Sequence, residues 1–266
     1  MTQDNGKKQM VAVKTLKSQE QKEFFDECRR LRQLRHPNIV NFKGVSLDSH
    51  RLKILLILVA LLDYLSKHAN SLTSQEHLKL IVHAVRGMVY LSGQKCIHRD
   101  LAARNCLIKD RCLKIGDFGM ARTGEIYKMT TNLKRILPVK WIPPDTLMTQ
   151  KSDVWAFGVL MWEIYTNALI TFLRAVLGNR LTPPPSTPKE VKSIMLRCWE
   201  DEPNKRPKFA DLEKDLEAAY ESLRSKQRES LVSIASKGIL TLFYYRIGCS
   251  RLPKRSAFQA GCECSR

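Results

Sequence analysis

Apolar and polar positions follow two different spacings along the chain, and the change falls near residue 62. The first part carries short apolar-rich runs, which are typical of strands. A helix is expected at about residues 19–34, and it ends at His36-Pro37 because the residue before a proline avoids the helical region. Asp4-Asn5-Gly6 predicts a tight hairpin turn. The predicted strands cover residues 10–16, 39–45 and 53–62.

Later segments carry apolar residues at helical spacing. The segment at residues 153–165 is apolar nearly all round, so this helix is expected to be buried. A small β-rich part followed by a larger α-rich part predicts a two-lobed α+β architecture. The further helices are expected at about residues 75–92, 188–200 and 209–223, with a shorter one from residue 61 or 63 to 69.

Composition adds one unusual feature, a formal net charge of +19 on 266 residues. Such a charge can indicate nucleic acid, an anionic membrane face or phosphorylated partners. No basic stripe has interleaved aromatic residues, so nucleic acid is not expected, whereas peripheral membrane contact through the basic surface stays open. A piece that has lost an acidic counterpart is the favoured explanation.

Three further features bear on the cellular environment. The 8 cysteines form no C-x-x-C pair, which favours reduced thiols. The most apolar run, residues 52–62, would cross only about half a bilayer as a helix, so no transmembrane segment is predicted. The N-terminal residues are polar, and no signal peptide is predicted there.

Four short motifs stand in a fixed order along the chain. VAVK at residues 11–14 comes first, followed by HRDLAARN at 98–105, DFG at 117–119 and SDVW at 152–155. One such triplet or quartet arises by chance, but four in this order hardly can. With these motifs the chain resembles the protein kinases, and the resemblance covers roughly residues 5–222.

The resemblance implies a role for each motif residue. Asp100 would orient the attacking hydroxyl and accept its proton, while Asn105 and Asp117 would supply oxygen ligands for Mg²⁺. Lys14 would contact the ATP phosphates and be held by an ion pair with Glu27. Taken singly, Lys14 and Glu27 could be solvated charges, and Asp100 and Asn105 could be turn residues.

The catalytic-loop sequence is similar to that of tyrosine kinases. Serine/threonine kinases usually carry a lysine two residues after the catalytic aspartate, whereas Ala102 stands here and Arg104 follows. PVKW at residues 138–141 resembles the tyrosine substrate platform. Residues 36–45 and 96–100 are most similar to cytoplasmic Fes/Fer-like kinases, while residues 114–120 resemble insulin-receptor-like kinases equally. The implied hinge contains Val59 and Leu61, which would contact ATP.

The chain also departs from the family pattern. No glycine-rich loop precedes Lys14, the hinge is short, and Pro143-Pro144-Asp145 replaces Ala-Pro-Glu, although Asp145 could still pair with Arg206. Residues 225–266 match nothing in the family and include an apolar run, 239–245, that could form a strand. A fragmentary or mis-spliced gene explains these departures, and divergence to an inactive domain is the alternative.

The sequence therefore predicts a cytoplasmic protein tyrosine kinase domain that uses ATP and Mg²⁺ on protein tyrosines. Its expected parts are an incomplete N-lobe at residues 1–62, a C-lobe at 63–222 and a basic tail at 223–266. The missing segments would impair the chain, so a catalytically inactive pseudokinase or a docking module stays open, as does an anion-binding protein.

Tyr127 is the only tyrosine in the expected activation loop, residues 117–145. A phosphate there would add nearly two negative charges and three acceptor oxygens. The cations that could pair with this phosphate are Arg99, beside Asp100, and a second group in the loop, namely Arg122, Lys134 and Arg135. An exposed tyrosine without a regulatory role is the alternative.

Overall fold

Most of the chain folds around one helix-rich core. The computed structural model describes residues 2–4, 7–9, 12–15, 21–48, 51–56, 59–124, 126–128, 147–167 and 181–248. The chain divides into two units, residues 1–221 and 222–266.

The N-terminal part contains the predicted strands and helix. Asp4 lies opposite Lys7 in an antiparallel strand pair, and the predicted turn at Asn5-Gly6 lies outside the described residues. A three-stranded antiparallel sheet in the order β3-β5-β4 follows, and Lys14 lies opposite Ile54 in it. The elements are β1 (Thr2–Asp4), β2 (Lys7–Gln9), β3 (Ala12–Thr15), α1 (Gln21–Gln33), β4 (Gly44–Asp48), β5 (Arg51–Leu56) and β6 (Val59–Ala60).

Two strand predictions in this part were wrong in their bounds. Residues 39–43 are not a strand, and β4 begins only at Gly44. Ile39 and Val40 are apolar because they are buried against a later strand, where Ile39 forms a single parallel bridge with Ile115. The run at residues 53–62 is also not one strand, since β5 ends at Leu56 and a helix begins at Leu61.

The α-rich part follows the predicted order of helices. Its elements are α2 (Leu61–Lys67), α3 (Ser74–Gly93), β7 (Cys96–Ile97), β8 (Cys106–Lys109), β9 (Cys112–Ile115), β10 (Arg122–Thr123), β11 (Ile126–Lys128), β12 (Leu147–Thr149), α4 (Gln150–Tyr165), α5 (Lys189–Cys198) and α6 (Phe209–Gly248). Helix α6 is longer than predicted and includes residues 239–245, so the interpretation of that run as a strand is wrong.

Helix α4 is the centre of this part. Every residue from Ala156 to Tyr165 is buried, as the all-round apolar pattern predicts. The helix starts with a capping box, in which the Thr149 hydroxyl accepts from the Lys151 N–H and the Ser152 hydroxyl accepts from the Thr149 N–H. A buried helix with a defined start can hold polar side chains at fixed positions, and the functional site depends on two of them.

Two observations concern the chemical environment. The cysteines that the structure describes, Cys28, Cys96, Cys106, Cys112 and Cys198, form no disulfide with one another. Among the helices described, none is both long and apolar enough to cross a membrane.

Gly158 in α4 provides a test of this packing. A Cβ atom there would lie 2.6 Å from Trp199 Nε1 and 2.8 Å from Cys198 Cβ, so Gly158→Ala must displace buried groups. We expect Gly158→Ala to lower the free energy of unfolding by about 1–3 kcal/mol. The control is Gly93→Ala, because a Cβ at Gly93 meets nothing within 4 Å. Urea denaturation of both variants measures the difference, and equal stability would contradict the packing described.

Candidate active site

The HRDLAARN segment forms a loop between β7 and β8 that ends in a short 3₁₀ turn, Ala103–Asn105. The Asp100 carboxylate accepts hydrogen bonds on both oxygens. Arg104 binds Oδ1 as an ion pair, and Asn105 Nδ2 donates to Oδ2 over 2.8 Å and to the Asp100 carbonyl oxygen over 2.7 Å. The loop therefore holds one carboxylate in a fixed orientation at the protein surface.

A second, fully buried carboxylate anchors this loop from below. Asp153 of α4 accepts hydrogen bonds from the backbone N–H groups of His98 at 2.7 Å and Arg99 at 2.9 Å. Burial raises the pKa of the Asp153 carboxyl, while His98 and the Arg99 amide act in the opposite direction. Arg99 has a φ of 68°, a left-handed conformation that is costly for an arginine and is held here by that anchor.

Glu163, two turns or more further along α4, holds the other end of the loop. Its carboxylate accepts a hydrogen bond of 2.8 Å from the Ala103 N–H, and the side chain is buried. One helix thus fixes the loop on both sides of Asp100. Backbone donors that would otherwise be buried without a partner are satisfied by these two carboxylates.

The DFG segment packs against the same loop. The Phe118 ring is fully buried and meets the His98 ring edge-on, with centroids 5.0 Å apart. His98 Nε2 lies 3.0 Å from the Gly116 carbonyl oxygen, and its Nδ1 accepts from the Asp100 N–H at 3.3 Å. Asp117 takes a left-handed φ of 56°, and its carboxylate accepts from the Gly119 N–H at 3.3 Å. The turn after β9 is therefore held in one conformation.

The donor set fits a hard divalent cation. The Asn105 amide nitrogen is engaged by Asp100, so its carbonyl oxygen remains as the group that can face a ligand. Asp117 supplies a carboxylate, and both side chains are only partly buried. Carboxylate and amide oxygens are the ligands that Mg²⁺ prefers.

The predicted nucleotide-contacting residues lie on the N-terminal elements. Lys14 is on β3, and its side chain lies outside the described residues. Glu27 is buried on α1, on the face that also buries Phe24 and Leu31. Val59 pairs with Ile108 of β8, and Leu61, the first residue of α2, is fully buried. The ion pair between Lys14 and Glu27 and the proposed Asp145–Arg206 pair both fall outside what the structure describes.

Three guanidinium groups meet at the backbone after the DFG segment. Arg30 Nη2 and Arg122 Nη1 each donate to the Gly119 carbonyl oxygen at 3.3 Å, and Arg99 Nη1 donates to the Met120 carbonyl oxygen at 3.2 Å. Burial lowers the pKa of Arg30, and Arg122 adds to the effect, which indicates mutual repulsion. Tyr127 lies on β11 opposite Met148 of β12, and its side chain is outside the described residues.

Sequence reasoning missed three of these residues. Asp153 belongs to a recognised motif, yet its role as an anchor depends on a contact over 54 positions or more. Glu163 carries no local signal. Arg30 could have been found, because it follows Glu27 by three positions on α1 and such residues share a helix face.

Comparison with known proteins identifies the class. The family model described as protein tyrosine and serine/threonine kinase matches residues 1–216. The chain therefore belongs to the protein kinase family, whose members use ATP and a divalent metal ion.

Individual relatives narrow the class further. The chain is 39% identical over 231 residues to the tyrosine-protein kinase Fer of Rattus norvegicus, covering 78% of this chain and 28% of that protein. It is 39% identical over 229 residues to the transforming protein Fps of avian sarcoma virus (strain PRCII), covering 77% and 43%. It is 41% identical over 244 residues to the proto-oncogene kinase ROS of Mus musculus, covering 78% and 10%.

The chain is a tyrosine kinase domain similar to Fer and Fps, which confirms the interpretation of the Ala102–Arg104 pattern. It spans less than half the length of the curated relatives named here.

The Asp153 anchor can be tested by Asp153→Asn. One acceptor oxygen becomes an amide donor that faces the N–H groups of His98 and Arg99, so one buried hydrogen bond is lost. We expect the free energy of unfolding to fall by about 1–3 kcal/mol, with lower hydrogen-exchange protection of both amides. Asp215→Asn is the control, because the ion pair of Asp215 with Arg197 is exposed. Unchanged protection at His98 and Arg99 would show that Asp153 is not the anchor.

Proposed function

We propose that this domain transfers the γ-phosphate of ATP to the hydroxyl group of tyrosine residues in proteins. The observation that carries the proposal is the Asp100 carboxylate, which Arg104 and Asn105 orient at the surface of a loop anchored by Asp153. Phosphoryl transfer requires positioning and charge stabilisation more than covalent participation by the protein. A fixed carboxylate next to two metal-type oxygen donors meets that requirement.

Each residue of the loop has a defined part in this mechanism. Asp100 accepts a hydrogen bond from the substrate hydroxyl, orients it and takes its proton. Arg104 neutralises the Asp100 oxygen that does not face the substrate, and it occupies the position that distinguishes tyrosine kinases. Asn105 keeps the Asp100 carboxylate from rotating, since it donates to both the side chain and the backbone of Asp100.

The same geometry supports a nucleotide and Mg²⁺ site. Asn105 and Asp117 would hold the metal, which supplies charge neutralisation at the phosphate groups when bound. Lys14 would bind phosphate oxygens and Glu27, which is buried on α1, would orient Lys14. Val59 and Leu61 would border the adenine position where β6 meets α2.

The proposal extends to organisation and location. Residues 1–62 form the N-lobe and residues 63–222 the C-lobe, with residues 223–266 as a basic tail. We place the protein among non-receptor kinases in the cytoplasm, where its substrates are proteins that carry tyrosine and its basic surface can contact membranes peripherally. A docking module without activity is less well supported, because Lys14, Asp100, Asn105 and Asp117 are all retained.

Asp100→Asn tests the assignment of the catalytic base. We expect transfer of labelled phosphate from Mg-ATP to a poly(Glu,Tyr) substrate to fall by about 10²–10⁴-fold, because the amide cannot accept the proton. Asp215→Asn, on the exposed face of α6, should retain the activity of the parent chain. Activity that survives Asp100→Asn would refute the assignment, and a parent chain without any transfer would favour the docking module.

The three-arginine cluster supports a regulatory role for Tyr127. Arg30, Arg99 and Arg122 converge on the carbonyl oxygens of residues 119–121, and hydrogen bonds to an ionised phosphate are stronger than those to a neutral carbonyl oxygen. A phosphate on Tyr127 would provide three oxygens and nearly two charges to the same cluster. The loop between β10 and β12 would then be held next to the catalytic loop.

A phosphorylation time course tests this regulation. Incubation with Mg-ATP should place phosphate on Tyr127 by mass spectrometry and raise the transfer rate, and Tyr127→Phe should remove the rise. The Arg122→Gln variant should still acquire phosphate on Tyr127. Its transfer rate should rise less than that of the parent, because one cation of the cluster is lost. Tyr220→Phe on α6 is the control and should behave as the parent. Equal rates for Tyr127→Phe and the parent, with phosphate elsewhere, would contradict the proposal.

A further inference from the structure

A basic cleft lies on the side of the N-lobe, at the C-terminal end of α1. Its cavity of about 510 Å³ has an apolar floor formed by Leu34, Pro37 and Phe42, which keep accessible surface, and its lining also includes Arg32, Arg35 and Lys114. A neighbouring cavity of about 300 Å³ shares Pro37, Asn41 and Lys114 with the first and adds Lys43 and Lys109. The two cavities are therefore adjacent, and we call them together the α1 cleft.

The charge of the α1 cleft is strongly one-sided. The lining residues include five lysines and arginines but one acid, Asp110, in the smaller cavity. The pKa of His36 is lowered first by burial and then by Lys114 and Arg86, so the field at this position is positive. His36 itself accepts the Asn38 N–H on Nδ1 and stacks on Tyr90, and it serves as a wall of the cleft.

Some surface arginines of this protein meet a carboxylate. Arg29 contacts Asp26 at 3.6 Å and Arg86 contacts Glu217 at 2.7 Å. Within the residues that the structure describes, Arg32 and Arg35 meet none, and both are exposed. The cleft therefore presents two exposed guanidinium groups beside an apolar floor, and among the described residues neither group meets a carboxylate.

This combination fits a ligand with an aromatic body and a dianionic end. Guanidinium groups bind phosphate oxygens in a bidentate geometry. The volume of the larger cavity falls in the range of sites for small ligands. An aspartate or glutamate side chain of a ligand is too short to place apolar atoms on the floor while it binds the arginines. A flat lipid surface does not enter a concave cleft. A phosphotyrosine side chain has both the ring and the charge.

We infer that the α1 cleft binds a phosphotyrosine-containing peptide segment, with the ring on the floor of Leu34, Pro37 and Phe42 and the phosphate between Arg32 and Arg35. That the ligand is a product of this domain's own reaction rests on the proposed function. Binding of the ligand does not require the domain to be active. The cleft is separate from the catalytic loop, and bound phosphotyrosine would keep the domain on substrates that already carry one phosphate.

The test measures fluorescence anisotropy of a fluorescein-labelled seven-residue alanine peptide with a central phosphotyrosine, titrated with the full chain. Matched peptides carry phosphoserine or unmodified tyrosine at that position. We expect phosphotyrosine to bind best, phosphoserine more weakly because it lacks the ring, and tyrosine not measurably. The combined variant Arg32→Gln, Arg35→Gln should raise the Kd for the phosphotyrosine peptide by about tenfold or more, since two charge-assisted contacts are lost.

Arg29→Gln is the control, because Arg29 lies on the same helix and does not line the cleft. It should bind the phosphotyrosine peptide with the Kd of the parent. Equal affinity of the combined variant and the parent would overturn the inference and place the peptide at another site. Equal affinity for phosphoserine and phosphotyrosine would also overturn it, because the floor would then contribute nothing.

Two further measurements separate the alternatives. Binding to vesicles that contain phosphoinositides, without binding to the phosphotyrosine peptide, would replace the inference by a membrane site. Phosphate transfer is assayed in parallel on the combined variant. A parent chain that transfers phosphate but does not bind the phosphotyrosine peptide overturns this inference and leaves the proposed function intact. A parent chain that binds the peptide but transfers no phosphate supports this inference and counts against the proposed function.

Discussion

The buried carboxylate of Asp153 is the interaction on which the active-site geometry depends. A carboxylate inside a protein is costly unless donors surround it, and here the N–H groups of His98 and Arg99 provide them. The same contacts hold Arg99 in a left-handed conformation and turn the loop so that Asp100 faces outwards. Because α4 is buried along its length, the carboxylate cannot move towards solvent to relieve its burial. The cost of burying Asp153 is thus linked to the position of Asp100.

A second set of contacts attaches the N-terminal part of the chain to β9. The Asn38 side chain donates to the Leu113 carbonyl oxygen at 3.0 Å, and Val40 and Ile115 are joined by a backbone hydrogen bond of 2.9 Å. Gly87 of α3 leaves room for this contact, since a Cβ there would lie 2.9 Å from the Asn38 carbonyl oxygen. Residues 38–40 are therefore attached to β9 through a single parallel bridge and its hydrogen bonds, and they are not part of the N-terminal sheet. This attachment places α1, with Glu27 and Arg30, over the DFG turn.

The sequence was sufficient for the class of fold, the order of helices and the motif residues, since each follows from local spacing or a short pattern. It was insufficient where a residue acts through a distant partner. Ile39 and Val40 have the composition of a strand, yet their neighbours are on β9, about 75 positions away, and no local pattern records that. The run at residues 239–245 is rich in residues that favour strands, but it continues α6. Lys14, Val59 and Tyr127 lie on the expected elements, and their roles stay predictions.

Backbone carbonyl oxygens stabilise buried guanidinium groups in this protein. Arg206 is buried, donates to the carbonyl oxygens of Glu200 and Lys151, and stacks over Trp155 at 5.0 Å. Carbonyl oxygens stabilise a guanidinium group without neutralising its charge, so the net charge stays high. The cluster around Gly119 follows the same principle. A guanidinium group that is bound by dipoles keeps a field that anions can enter, and phosphate is the group that protein kinases transfer.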